Sequence, residues 1–274
     1  MALLPCSQYY GSIELGSPPQ RLEVILDTGS SDLLVAIYPC EVGCEASTPI
    51  YQPTLSSTAY ESTIAFSTTY GSGAAQGTLA QDKMSMSGFT VDRQTFAACH
   101  NFTNIVENDV SGILGLGWER IASSRSTPFL QNLWQDGQLD EPLFGFAFSR
   151  WGNTSGAYYR TLPGGYMTIG GVNETLVDPD EIVYIDLSSE SYWPIPLQDV
   201  KVGGESLNIT DDFAIIDTGE WCATSERAVV WEVADMTRSR HKLDRYAHLS
   251  CTTHLCGHPW RQTRRRRGHS HVPL

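Results

Sequence analysis

Positive charge is scarce in this chain. Eighteen Lys and Arg stand against 31 Asp and Glu, and residues 1–220 hold only 8 of the bases against 27 of the acids. A body this acidic repels a phosphate backbone, so nucleic acid is not expected as its partner. The balance suits work at low pH, where many acids are neutral, and equally well serves solubility alone. Long apolar runs are also missing. None approaches the roughly 20 residues a membrane-crossing helix needs, so no membrane span is expected. The first eight residues are too short for a secretory leader, and any leader or pro-segment is expected to lie outside this chain.

What is present is a repeated loop. Val24-Ile25-Leu26 runs into Asp27-Thr28-Gly29-Ser30, and 190 residues later Ala214-Ile215-Ile216 runs into Asp217-Thr218-Gly219. Each apolar run reads as a buried strand that ends at the acid. Gly29 and Gly219 then let the backbone reverse beside the carboxylate with no Cβ in the way. A carboxylate at the end of a buried strand is partly dehydrated. Two of them side by side cannot both ionise easily, so they share one proton over a wide pH range. One can take a proton from a water while the other gives one to a peptide carbonyl. That chemistry requires neither a metal nor another cofactor, and none is expected.

Further motifs stand in order around these loops: Tyr9-Tyr10-Gly11-Ser12-Ile13, Gly16-Ser17-Pro18-Pro19-Gln20, Tyr70-Gly71-Ser72-Gly73 and Ser111-Gly112-Ile113-Leu114-Gly115-Leu116. With them the chain resembles the pepsin-family aspartic endopeptidases, and most of all the secreted fungal, polyporopepsin-like acid proteases. The likeness covers residues 8 to about 220 and continues more faintly to about 236. It implies a mainly β, bilobal fold that hydrolyses polypeptide substrates as a monomer, in a secreted or vacuolar setting. Asp27 and Asp217 would be catalytic, and Thr28, Ser30 and Thr218 would support their loops. Tyr70, Gly71 and Ser72 would belong to a flap over the substrate, with Gly29, Gly219 and Ile113 also at the binding site. Cys40 and Cys44 would form the small disulfide loop that many of these relatives carry.

The implied organisation is a first lobe over 1–150, a partial second lobe over 151–236 and a basic, His-rich tail over 237–274. Residues 63–70 and 77–86 alternate about Gly71–Ala75, a hairpin signature. Thr127-Pro128 opens a helix through Phe129, Leu130, Leu133 and Trp134, closed by Gly137. Short strands are expected at 166–169, 182–185 and 192–196 in the second lobe, and a helix at 225–236. Four of the seven Asn (Asn101, Asn153, Asn173 and Asn208) lie in Asn-x-Ser/Thr, more than the Ser and Thr content predicts, which favours the secretory route.

Three departures from the family pattern stand out. Leu34 occupies the place of a Trp that supports the flap Tyr, which predicts a less firmly held flap. Glu220 follows Gly219 where the family has Ser or Thr, adding a like charge beside the pair. The second lobe lacks an apolar-apolar-Gly strand after Asp217, and its counterpart to Gly115 would fall beyond residue 274. Past Met236 the composition switches to nine bases against one acid, with six of the chain's seven His. A shifted reading frame, a retained intron or divergence all account for the change. Cys251, His254, Cys256 and His258 match no structural-zinc spacing. Arg264–Arg267 reads as part of a disordered basic tail. Three functions stay open: the peptidase, an impaired relative that binds peptides without cleaving them, and an interaction protein that binds polyanions through the basic tail at 237–274.

Overall fold

The computed structural model describes residues 9–71, 73–105, 110–148, 164–202, 204–209, 211–219 and 270–273. The fold is mainly β. Seven strands form one sheet: β1 (Tyr10–Leu15), β2 (Gln20–Asp27), β3 (Leu33–Ala36), β4 (Tyr60–Thr69), β5 (Ala74–Met86), β6 (Phe89–Thr103) and β7 (Gly112–Gly115). Their order across the sheet is β1-β2-β7-β3-β6-β5-β4, and a further β1–β5 pairing joins distant strands of that order.

The centre of the sheet positions the first acid. β2 begins with mixed exposure and turns wholly buried over Val24–Asp27, as a strand covered on both faces must. It runs parallel to β7, with Asp27 opposite Gly115, and β7 runs antiparallel to β3. Crossing from β2 to β3 through residues 28–32 therefore wraps the acid loop around the end of β7. Leu26, Leu114, Phe129 and Leu133 pack in one core with Met167, Ile169 and Trp193 of the second half. Ile25, Leu34, Phe66, Phe102 and Ile113 make a second cluster, against which Tyr70 leans.

Several sequence expectations are met closely. The hairpin forms from β4 and β5, closed by Tyr70 N–H to Gly73 O at 2.7 Å. The helix α1 covers Phe129–Gln135 with Pro128 as an extended N-cap, and Gly137 ends it at φ 67°. Cys40 and Cys44 are disulfide-bonded, with Cα atoms 6.1 Å apart.

Other expectations are corrected. Residues 182–185 do not form a strand. A 3-10 turn at Pro179–Glu181, whose first N–H groups include one bound by the Asp178 side chain, leads into an extended segment with Val183 74% exposed. Ile, Val and Tyr favour a sheet only where a neighbouring strand supplies the ladder. The strand expected at 192–196 shortens to β10 (Pro194–Pro196), and 166–169 lengthens by one residue into β9 (Gly165–Ile169). β9 pairs with β8 (Phe144–Phe148). A two-stranded hairpin, β11 (Lys201–Val202) with β12 (Glu205–Ser206), precedes β13 (Phe213–Ile215), which pairs with β10. Unlike its counterpart in β2, the run before Asp217 is not buried: Phe213 is 49% and Ile215 44% exposed. Finally, Ser270–Pro273 form β14 against β9, so these four residues of the tail are a strand where disorder was expected. A free strand edge presents unpaired backbone groups that any extended segment can satisfy. The helix expected at 225–236, the zinc-compatible Cys and His residues and the arginine run lie outside the described residues.

One buried acid in the first half bears on acid stability. Asp82 is almost fully buried and accepts hydrogen bonds from the Tyr51 hydroxyl, from Thr58 Oγ1 at 2.5 Å and from Lys83 N–H at 2.7 Å. Burial raises its pKa, but the bonds from Thr58, Tyr51 and Ser56 outweigh it and hold the carboxyl below its ordinary value. A depressed carboxylate pKa stabilises the fold above the unfolded value and loses that stabilisation as pH falls. Tyr51→Phe should therefore cost about 1–2 kcal/mol near neutrality. Denaturant unfolding at pH 7 and pH 3 should show the penalty shrinking at the lower pH; an equal penalty at both would refute this account.

Candidate active site

The two acid loops meet through their threonines. Thr28 Oγ1 donates to Ile216 O at 2.7 Å and accepts from Thr218 N–H at 2.9 Å. Reciprocally, Thr218 Oγ1 donates to Leu26 O at 2.6 Å and accepts from Thr28 N–H at 3.0 Å. Each hydroxyl is thus used once as donor and once as acceptor, both threonines are buried, and the arrangement has an approximate two-fold symmetry. The carboxylates rise from this base in matched ways. Gly29 N–H donates to Asp27 Oδ1 at 2.8 Å, and Gly219 N–H donates to Asp217 Oδ1 at 2.8 Å. The two glycines let the carboxylates approach: a Cβ on Gly29 would overlap the Asp217 carboxylate, and one on Gly219 would overlap that of Asp27.

The environment of the pair is asymmetric. Ser30 Oγ also donates to Asp27 Oδ2. Burial, followed by the charge of Asp217 and a hydrogen bond shared with it, pushes Asp27 up to about 7 against the lowering bonds from Ser30 and Gly29. Burial, and next the charge of Asp27, also raise the phenol of Tyr70, keeping it a neutral hydrogen-bond donor.

A cleft of about 310 Å³ opens over the pair. Of the residues singled out in the sequence, Asp27, Asp217, Gly29, Gly219, Ser30, Tyr70, Gly71 and Ile113 line it, while Thr28 and Thr218 sit beneath. Tyr70 and Gly71 reach the cleft from the β4–β5 hairpin, and Leu34, fully buried, sits in the cluster that Tyr70 packs on. Ser72 and Glu220 lie outside the described residues. The disulfide loop is not part of the cleft lining.

Sequence reasoning missed several wall residues. Asp32 is buried, with Ser123 N–H at 2.7 Å and Ser124 N–H at 3.1 Å on its two carboxylate oxygens. It ties the loop at 119–124 to the start of β3, and its place five residues after Asp27 was a usable signal. Ile105, Ile121 and Tyr192 also face the cleft, and although Tyr192 begins a segment expected as a strand, nothing local announced a place at the site for any of the three.

Comparison with known proteins agrees with this geometry. A family model described as eukaryotic aspartyl protease matches residues 8–259. Major aspartyl peptidase 1 of Cryptococcus neoformans var. grubii is 38% identical over 221 residues, 78% of this chain and 45% of that protein. Aspartic protease 1 of Caenorhabditis elegans is 34% identical over 239 residues, 84% of this chain and 59% of that protein. Gastricsin of Mus musculus is 34% identical over 224 residues, 80% of this chain and 55% of that protein. The chain spans about half the length of the curated relatives it matches. Two reciprocally locked Asp-Thr-Gly loops below a hairpin-covered cleft, together with these matches, place the chain in the eukaryotic aspartyl protease family.

Proposed function

We propose that this chain is an aspartic-type endopeptidase that hydrolyses peptide bonds of polypeptides at acid pH, with Asp27 and Asp217 as its catalytic residues. The observation that carries the reading is the face-to-face placement of two partly dehydrated carboxylates, each on its own glycine N–H, on one locked base. The pair holds one proton between its members. A water held against both oxygens gives a proton to the ionised member as it attacks the scissile carbonyl carbon. The protonated member gives its proton to the carbonyl oxygen, forming a neutral tetrahedral diol. The newly protonated member then gives its proton to the leaving nitrogen while a diol hydroxyl returns one to the ionised member, so the C–N bond breaks, a carboxylic acid and an amine are released, and the pair again holds one proton. The cleft walls keep the reacting atoms away from bulk water, which strengthens every charge interaction inside.

In the same reading the β4–β5 hairpin is the flap. Tyr70 walls the cleft, while Gly71 offers its backbone N–H group to a substrate strand, and Ile113 with Ile25 favours apolar side chains. The Cys40–Cys44 bridge and the sequons at Asn173 and Asn208 support passage through an oxidising secretory compartment, with the chain working as a secreted or vacuolar monomer.

Digestion of a quenched peptide or denatured haemoglobin at about pH 3–5, where such pairs share a proton, is the direct test. Cleavage by the wild-type chain should fall by about a thousandfold in Asp27→Asn, with peptide binding retained. Tight binding of peptide by the wild-type chain without turnover would instead identify the impaired, peptide-binding relative.

The pair also predicts a pH dependence of stability. An acid whose folded pKa is raised stays protonated in the fold while the unfolded chain releases its proton. Stability is then lost as pH climbs from about 4, the ordinary carboxylate value, to about 7 for Asp27. Asp27→Asn, neutral throughout, should flatten the fall of Tm across that interval in a calorimetric series. A slope equal to that of the wild type would show that the strain resides elsewhere.

A further inference from the structure

The threonine contacts join the two acid loops at their base, but a second connection runs behind them through one residue of the second half. Trp193 immediately precedes β10 and is buried, 8% exposed. Its indole Nε1–H donates to Leu116 O at 3.1 Å. Leu116 N–H in turn donates to Asp27 O at 2.7 Å. On the other side, Trp193 O accepts from Ile216 N–H at 3.4 Å, and Ile216 O accepts from Thr28 Oγ1 at 2.7 Å. The bonds close a ring: Asp27 to Leu116, Leu116 to Trp193, Trp193 to Ile216, and Ile216 back to Thr28, the neighbour of Asp27.

Trp193 alone in this ring uses its side chain towards one acid loop and its backbone towards the other. Its backbone has φ 57°, a conformation a bulky L residue rarely holds unless its surroundings impose it. The surroundings here are aromatic: the Trp193 ring lies 5.3 Å from that of Trp118, tilted by 41°, and 5.4 Å from that of Phe144, edge-on. β13 itself offers Asp217 little rigidity. It is three residues long, and it pairs with β10 alone among the described residues.

We propose that Trp193 is a positioning residue: acting through Leu116 on one side and Ile216 on the other, it sets the separation of the Asp27 and Asp217 carboxylates. The inference rests on the reading of those two acids as a working pair, and it adds a residue that no motif around either loop contains. Loss of the indole N–H leaves Leu116 O unpaired and frees the ring to open at its side-chain link. A looser pair admits water and couples its charges more weakly. The other titratable groups lining the cleft are Tyr70 on the flap, Asp32 at the entrance to β3 and Tyr192, the chain neighbour of Trp193, and all three are kept in every variant compared.

The nearby Trp118 supplies a control. Its Nε1 is buried and meets no acceptor among the described residues, so Trp118→Phe removes an indole from the same aromatic pair without removing a bond from the ring. The experiment is a ¹³C NMR titration of Asp side chains in the full chain, with the pair assigned by Asp27→Asn and Asp217→Asn. In Trp193→Phe the upper titration of the pair should move down by about one pH unit, while Trp118→Phe leaves it where the wild type has it. Should Trp193→Phe fail to fold, benzothienylalanine at residue 193 keeps the ring's shape and removes only the N–H, and the same shift is expected. A folded variant at 193 that titrates like the wild type would overturn the proposal, as would equal shifts in the variants at 193 and 118, which would make the effect one of packing. The readout needs no turnover. A chain that cleaves no peptide yet shows the shift would lose the proposed function and keep the brace.

Discussion

The crossed hydrogen bonds of Thr28 and Thr218 are the constraint on which the site depends. Two acids brought together in a partly dry cleft repel one another, and nothing in either loop alone would hold them in place. Each threonine hydroxyl has one proton to give and lone pairs to accept with, and both capacities are spent across the junction. A serine could make the same bonds, but β-branching restricts the side-chain torsion and so the direction in which the hydroxyl points. A valine at either position would keep the shape and leave two backbone groups without partners, and valines at both would leave four. The two loops are thereby tied directly to each other.

The two halves hold their acids differently. Asp27 ends a strand buried on both faces and flanked by β7, so its position is inherited from a seven-stranded sheet. Asp217 follows a three-residue strand whose side chains are partly exposed. Its position derives from the first half through Thr28, and from Trp193 through Ile216. The shared core supports this dependence, since Met167, Ile169 and Trp193 pack in the same cluster as Leu26 and Leu114. Among the described residues, the second acid is therefore placed largely by contacts that cross between the halves.

Charge sets the conditions under which such a molecule is comfortable. The raised pKa of Asp27 makes the fold less stable as the solution becomes neutral, whereas the depressed pKa of Asp82 makes it less stable as the solution becomes strongly acid. The two effects oppose one another and leave a mildly acid interval between them. The acidic body acts in the same sense, because its self-repulsion is relieved as carboxylates are neutralised.

Much of this was legible in the sequence because it is local. The repeated Asp-Thr-Gly loops, the hairpin carrying Tyr70, the helix begun by Pro128 and the Cys40–Cys44 bridge are each written within a few residues, where backbone preferences and short reach decide the outcome. The reading failed where the partner lies far along the chain. Residues 182–185 have the composition of a strand and no ladder to join, and the run before Asp217 resembles the one before Asp27 without its covering layers. Asp32, Tyr192 and Trp193 likewise gain their roles from what they face. The sequence by itself determined which two acids are special and what turns carry them, since a turn is settled by its own residues. Only the tertiary structure decided their separation, their unequal burial and the residue that braces them, because those are properties of contacts between segments nearly 200 residues apart, such as Thr28 and Thr218 at a separation of 190.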